Sequence, residues 1–361
     1  PVIPYFRERT LSLGGEIIPN DEWPGHSRNI LPDDYRNLPP NAFFHTFLGK
    51  NNPLKAPQEW MNQDQFIHDI SIHEWLTQKG FSNELVDLTY NLNISHGYSA
   101  KDVSVLMLMF VNAFAASQSR LGFQTSLVAE GGNIRIAEEM ANNLSREVLL
   151  DKAVKSIDVS QNSAKVFCQD GTSYSANRVV CSLPFSVLRD ISIYPRINGP
   201  QSKAITSLKS QKINMLHIVP KTPFWEKDGM SPNMYTDELA GMVLSQRQAS
   251  SPEKVDSLTA WLRGPIAEKL DQMDQNEAIS SVIRSIEKLR PSAKGQLEVA
   301  AYHSWFLNPY SKGDWAYWGP GQIKEFGQSI SVPHHKLHFC GEHTAIANRG
   351  MEGALESGER V

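Results

Sequence analysis

The stretch HFCGEHTAIANRGMEGALESGERV, residues 338–361, decides how the rest of this chain is read. Its apolar start predicts a short strand that ends at Gly341 and delivers Glu342 to the carboxyl end of a sheet, where open α/β folds hold their ligands. A polar loop follows. The run Arg349, Gly350, Met351, Glu352, Gly353, Ala354 then opens a helix whose first backbone N–H groups lack partners and whose dipole is positive at that end. Small residues at Gly350, Gly353 and Ala354 let this backbone come close to a ligand. A glutamate directly after a strand-end glycine has no packing motive, so the segment reads as a ligand corner rather than a plain packing helix.

The bulk numbers bound the remainder. At 361 residues the chain exceeds one ordinary core, and two or three domains are expected. With 40% hydrophobic residues, 20% charged residues and a net charge of -4, nothing asks for a nucleic-acid partner. Cys168, Cys181 and Cys340 are too few and too scattered for a disulfide framework and read as buried thiols. The apolar run VSVLMLMFVNAFAA at 103–116 is broken by Asn112 and falls short of the ~20 residues a bilayer span needs. It reads as a buried core helix, with no membrane partner. No signal-peptide pattern stands at residue 1. The chain starts at Pro1 rather than methionine, so a removed leader or upstream sequence stays open, and the compartment is undetermined.

Along the chain, residues 1–60 are rich in Pro, Asn and Gly and are expected to be irregular, lining an entrance. From 70 to 118 the period turns helical, with Ile72, Trp75 and Leu76 ahead of a terminating Gly80 and serine caps before the next two helices. A Gly-Gly turn at 131–132 feeds an amphipathic helix. Three strand-like runs follow, VLLDKAVKSIDV, AKVFC and RVVCSLPF, and the Asp-Gly at 170–171 marks a hairpin. INMLHIVP and SLTAWLRG read as strands, and EAISSVIRSIEKL as a helix ended by Pro291. There is no internal repeat.

Four segments in this order resemble the flavin-containing amine oxidase family, which includes monoamine oxidases, polyamine oxidases and L-amino acid oxidases. They are AEGGNIRIAEEMANNL (129–144), AVKSI (153–157) leading to DGTSYSANRVVCSLP (170–184), TPFWEKDG (222–229) and FCGEHTAIANRGMEGALESGER (339–360). The likeness is closest in character to the bacterial L-amino acid oxidase branch. It implies an α/β, mixed α+β fold: an FAD-binding Rossmann-like domain, partial here, with a substrate domain built on a mixed sheet and a helical subdomain. Residues 1–120 are then the irregular entrance segment and helical subdomain, 121–194 part of the FAD-binding domain, 195–330 the substrate-binding domain, and 331–361 the C-terminal part of the FAD-binding domain.

The resemblance also implies FAD as cofactor, held non-covalently, with Val154, Gly341, Glu342, Arg349, Gly350, Met351, Glu352, Gly353 and Ala354 as its contacts. The implied reaction converts an amine or L-amino acid to an imine and then a keto product, with ammonia and hydrogen peroxide as by-products and oxygen as acceptor. An amino acid monooxygenase of the same fold and a catalytically silent fragment are the alternatives. The family's strand–GxGxxG–helix fingerprint is absent from these 361 residues. That unit is expected to lie outside this stretch or on a companion chain, or else to be truly missing, and the terminal helix is expected to run on past Val361. A homodimer is the other partner considered.

On the reacting side, the family places aromatic walls. Trp305 and Trp315 in WFLNPYSKGDWAYWGPGQ match that loop by resemblance, and Asp314 stands where monoamine oxidases carry a flavin-linked cysteine. Met215 occupies the place of the lysine that many members aim at the flavin, and Lys212 is expected on the opposite strand face. Gly350 replaces the second cage aromatic. His217 reads as a structural histidine; Arg7, Arg9 and Arg36 read as surface arginines. His334 and His335 lack a third ligand at suitable spacing, so no metal is expected.

Overall fold

Along the strand Ile213–Pro220, burial alternates as a two-residue period requires: Leu216 and Ile218 are shut away while Met215 and His217 lie half-buried on the other face. A computed structural model describes residues 9–120, 129, 131–248, 251 and 253–361, and Arg7 lies outside them. This strand is second in a seven-stranded mixed sheet. The order is Leu297–Ser304, Ile213–Pro220, Ser257–Arg263, Met242–Gln246, Met234–Thr236, Thr10–Leu13 and Glu16–Ile18. All neighbours are antiparallel except Thr10–Leu13 against Met234–Thr236.

Leu216, Ile218, Val243 and Ala260 face the helix Gln275–Leu289, whose Ala278, Val282, Ile286 and Leu289 recur at the three- and four-residue spacing of a buried stripe. Asp274 caps that helix by accepting from the Asn276 and Glu277 amides, and Pro291 follows its end. Beyond it the fully buried Arg290 forks onto Asp228 at 2.8 and 2.6 Å.

Residues 10–18, in the stretch expected to be irregular, are two of the sheet's strands, and Pro40–Lys50 is a helix. Leu11 and Leu13 bury against Ile18, Trp23, Phe43 and Tyr235. A four-residue alternation amid Pro and Gly is too short to register as a period. Its strand character comes from a partner more than two hundred residues away.

The helical subdomain follows the expected periodicity. Ser71 and Ser82 cap Ile72–Gln78 and Asn83–Thr89, and Val105–Arg120 is a helix with Val105 to Phe110 buried. The Asp-Gly hairpin joins Ala164–Cys168 to Ser173–Ala176, with Gly171 at φ +85. Val154–Val159 continues that sheet, whereas Val148, Leu149 and Leu150, read as the start of the same strand, lie outside it and are exposed. All three cysteines are buried free thiols. Among the described residues no helix is long and apolar enough to cross a membrane.

Candidate active site

The strand Leu337–Phe339 pairs in parallel with Val179–Cys181 and runs into Gly341. Gly341 holds φ +113, and a Cβ there would press within 2.9 Å of the His343 ring, so glycine is required for both dihedral and space. The short turn Glu342–Thr344 leads by a loop to the helix Gly350–Arg360. That loop is tied down from the helix's far half. Glu356 accepts from the amides of Ile346 (2.8 Å), Ala347 (3.1 Å) and Asn348 (2.7 Å). Arg360 donates to Thr344 O and Phe339 O. From the helical subdomain, buried Trp60 donates its indole N–H to Ile346 O.

Anchored this way, the amino end of the terminal helix faces a cavity of about 430 Å³. Glu342, Arg349 and Gly350 line it together with Asp314 and Trp315. Met351, Ala354 and Gly341 also border it. Burial raises the Glu342 carboxyl above its usual range, against the pull of Arg349 and of the Ala316 and Gly350 amides. Burial lowers Arg349 in turn, and Glu342 opposes that shift. Asp314 is raised by burial too.

Trp315 is fixed by its indole N–H to Ser95 O at 3.2 Å and by near-parallel stacking on Trp261, 6.4 Å between centroids. The backbone beneath it is clamped by Gln211. That residue donates its own amide to Trp315 O and accepts the Asp314 amide at its carbonyl, and its side chain bridges both backbone groups of Gly97.

The other expected site residues lie elsewhere. Met215 is one member of a cross-strand row, His303, Met215, Trp261, Met242 and Tyr235, in register over five strands. The row meets Trp315 through Trp261, so Met215 stands behind the wall rather than in the cavity just described. Trp305 is 38% exposed, its ring edge-on to His303, and does not border that cavity. Glu352 points outward from the first helical turn. Gly353 is buried; a Cβ there would meet Asn348 O at 2.9 Å, so its smallness serves the loop behind the helix. Val154 lies on the four-stranded sheet.

Lys212 pairs with Glu268 at 2.8 Å with its ammonium 4.0 Å over the Phe306 ring, away from Met215. His217 bonds Thr259 as a structural histidine, and Arg36 pairs with Asp33. Among the described residues no cluster of His, Cys, Asp and Glu is arranged to hold a metal.

Sequence reasoning missed His343, which borders the cavity buried, with Nε2 unpartnered, and which burial and Arg360 push down to about 4. It also missed Gln211 and Glu356. The adjacency of His343 to Glu342 was a usable signal. For Gln211 there was none, since its partners are distant in sequence.

The family model for flavin-containing amine oxidoreductases matches residues 5–361. The chain belongs to that family. Relatives include a provisionally assigned L-amino-acid oxidase of Bacillus subtilis strain 168, 24% identical over 64% of this chain and 50% of its own length. Human flavin-containing amine oxidase B is 24% identical over 89% of this chain and 64% of its own length. The chain thus spans between half and two thirds of these two relatives. The fold is shared with putrescine oxidase bound to putrescine (TM-score 0.77, 19% identity) and with cyclohexylamine oxidase from Brevibacterium oxydans IH-35A (0.76, 18%). Each likeness covers all of this chain, and 81% and 80% of those two chains respectively.

The residues present suit the ring end of a flavin. A half-buried carboxyl and guanidinium, a helix start without a side-chain cap and an unpartnered buried imidazole border one cavity.

Proposed function

We propose that this chain forms the substrate face and part of the FAD site of an oxidase that deaminates an amine or an L-amino acid. The observation that carries this is the cavity that Glu342 and Arg349, at the open amino end of the Gly350–Arg360 helix, share with Trp315. A bound flavin would supply a two-electron sink for oxidation of the carbon bearing nitrogen to an imine, which water hydrolyses, with oxygen as the final acceptor giving peroxide.

The chain's own residues do the rest. The helix start and Arg349 favour negative charge at the ring edge they face. Glu342, which accepts only a long bond from the Ala316 amide at 3.4 Å on Oε2, offers its carboxyl to a ligand hydroxyl or N–H. Trp315, stacked on Trp261, is a rigid apolar wall that orients an alkyl or aryl side chain and keeps water out. Asp314 stands beside that wall where a flavin thioether would need a cysteine, consistent with non-covalent binding.

The direct test is flavin retention. Purified with FAD, the protein is expected to be yellow, to bleach anaerobically with its substrate and to make peroxide in air. Glu342→Ala is expected to lose about tenfold or more in flavin affinity, the worth of one hydrogen bond to a charged group. Full occupancy in that variant, read from the ratio of flavin to protein absorbance after gel filtration, would remove Glu342 from the site.

A further inference from the structure

A second groove, of about 390 Å³, adjoins the cofactor cavity in the chain without sharing a lining residue with it. Phe185 and Ser186 border the cavity, and Leu188 and Arg189 border the groove. The strand Ser192–Tyr194 and the helix Gly199–Ser207 supply further lining. Its side chains are of two kinds. Half-buried Ile191, Ile193 and Ile197 join the buried Leu188 and Ile205 as an aliphatic lining. Arg189 and Arg196 border the same space against one carboxylate, Asp190, which Lys312 already pairs. In a chain of net charge -4 this is a local reversal of sign.

The two arginines differ in what they already hold. Arg189 donates Nε–H to Phe185 O at 3.0 Å and an Nη2 N–H to Leu208 O, and both acceptors belong to residues that line the cofactor cavity. Two of the five N–H groups of a guanidinium are used in this way. Arg196 is exposed, and among the described residues its side chain has neither a hydrogen bond nor an ion pair. Its fork is free to take a carboxylate. Two guanidinium charges less one carboxylate leave the lining one positive charge, which a carboxylate balances and a phosphate dianion overshoots. A bare anion would leave the aliphatic residues unused, and an apolar tail would cover them. The groove also connects to the cofactor side by a second route. Asp190 pairs with Lys312, two residues before Asp314, and Ser186 donates to Ser311 O at 2.8 Å in the same loop.

We propose that this groove binds an aliphatic carboxylate, its charged group on Arg196 and the unused N–H groups of Arg189 and its tail along Ile191, Ile193 and Ile197, and that the bound ligand changes how firmly flavin is held, through Arg189 and the Asp190–Lys312 pair. The binding site stands apart from the oxidase reading above; the coupling rests on it.

The test titrates flavin-loaded protein by calorimetry with acetate, butanoate, hexanoate and octanoate, and with octylammonium as the opposite charge. Affinity is expected to rise about fourfold for each methylene the groove buries and to level off once the groove is filled, with octylammonium unbound. Arg196→Met removes the charge from a side chain that bonds nothing. It is expected to weaken octanoate about tenfold or more, with flavin content and Tm unchanged. Octanoate is expected to shift the FAD dissociation constant about fivefold or more in wild type and to leave it unmoved in Arg196→Met, and FAD must shift octanoate affinity by the same factor. Equal affinity along the series reduces the site to an ion contact and overturns the proposal. Octanoate binding undiminished in Arg196→Met overturns it too, since the ligand then sits elsewhere, the cofactor cavity included. Octanoate bound through Arg196 with FAD affinity unmoved overturns the coupling. If the protein takes up no flavin, the oxidase reading and the coupling fall together, and the same carboxylate series titrated into that protein still decides the site.

Discussion

His343 shows how one side chain couples the site to stability. Buried beside Phe185 at 4.4 Å between ring centroids, it is held neutral by burial and by the Arg360 guanidinium, with its pKa down to about 4 from 6.5. An unfolded chain protonates this residue first as pH falls, so between about 6.5 and 4 the unfolded state binds the extra proton and stability declines with falling pH. Above 6.5 the residue contributes no slope, and below 4 the loss is complete. The full effect is on the order of 3 kcal/mol, because each tenfold change in proton affinity is worth about 1.4 kcal/mol. His343→Gln is expected to flatten the pH dependence of the urea midpoint across that window; an unchanged slope would show that other groups carry it. Glu342 differs in kind. Its raised pKa marks a carboxyl deprived of water, which a ligand can satisfy.

Among elements, the terminal helix is held by its second half and works with its first. Glu356 gathers three successive amides of the 346–348 loop, and Gly341 N–H donates to the fully buried Ser357 Oγ at 2.8 Å. The corner at Glu342 and Arg349 is thus set by contacts two turns away. Glu356→Ala leaves those amides without their acceptor and is expected to lower thermal stability by about 2–3 kcal/mol and flavin affinity with it. Differential scanning fluorimetry with and without added FAD checks both; a stability loss with unchanged FAD response would confine Glu356 to folding. This helix and the strand before it were legible in sequence because their signals are local: the apolar pair, the glycine, and the small residues at the helix start. The 275–289 helix and the Asp-Gly hairpin were legible for the same reason. Strands 10–13 and 16–18 were not, because the first is defined by the distant Met234–Thr236 and the second pairs only with the first.

For the whole molecule, the decisive joint is Gln211, 1% exposed, where the loop before the long helix, the Trp315 segment and the lead-in to the central strand meet. Losing its side chain strands two buried backbone groups of Gly97 at once. Gln211→Ala is expected to cost about 2–4 kcal/mol in urea unfolding and to reduce turnover beyond that loss, because Ser95 and His96 are no longer held against Trp315. Equal effects on stability and on the remaining active fraction would make it a purely structural clamp. A similar long-range dependence hid the site's second half. Met215 could be counted to its position from Trp225, yet only strand register shows that it stands in a row with Trp261 and His303 instead of on the cavity.

By itself the sequence determined the family likeness, the strand–glycine–helix segment at 341–354 proposed to meet the cofactor, and the helices whose periodicity is written in adjacent residues, since those depend on interactions within a turn or two. Only the tertiary structure decided which expected residues share a cavity, that residues 10–18 complete the large sheet, and that His96, Trp261 and His343 keep unpartnered polar atoms in the interior. Hydrogen-bond satisfaction and strand register are properties of pairs brought together from distant parts of the chain, and no local pattern encodes them.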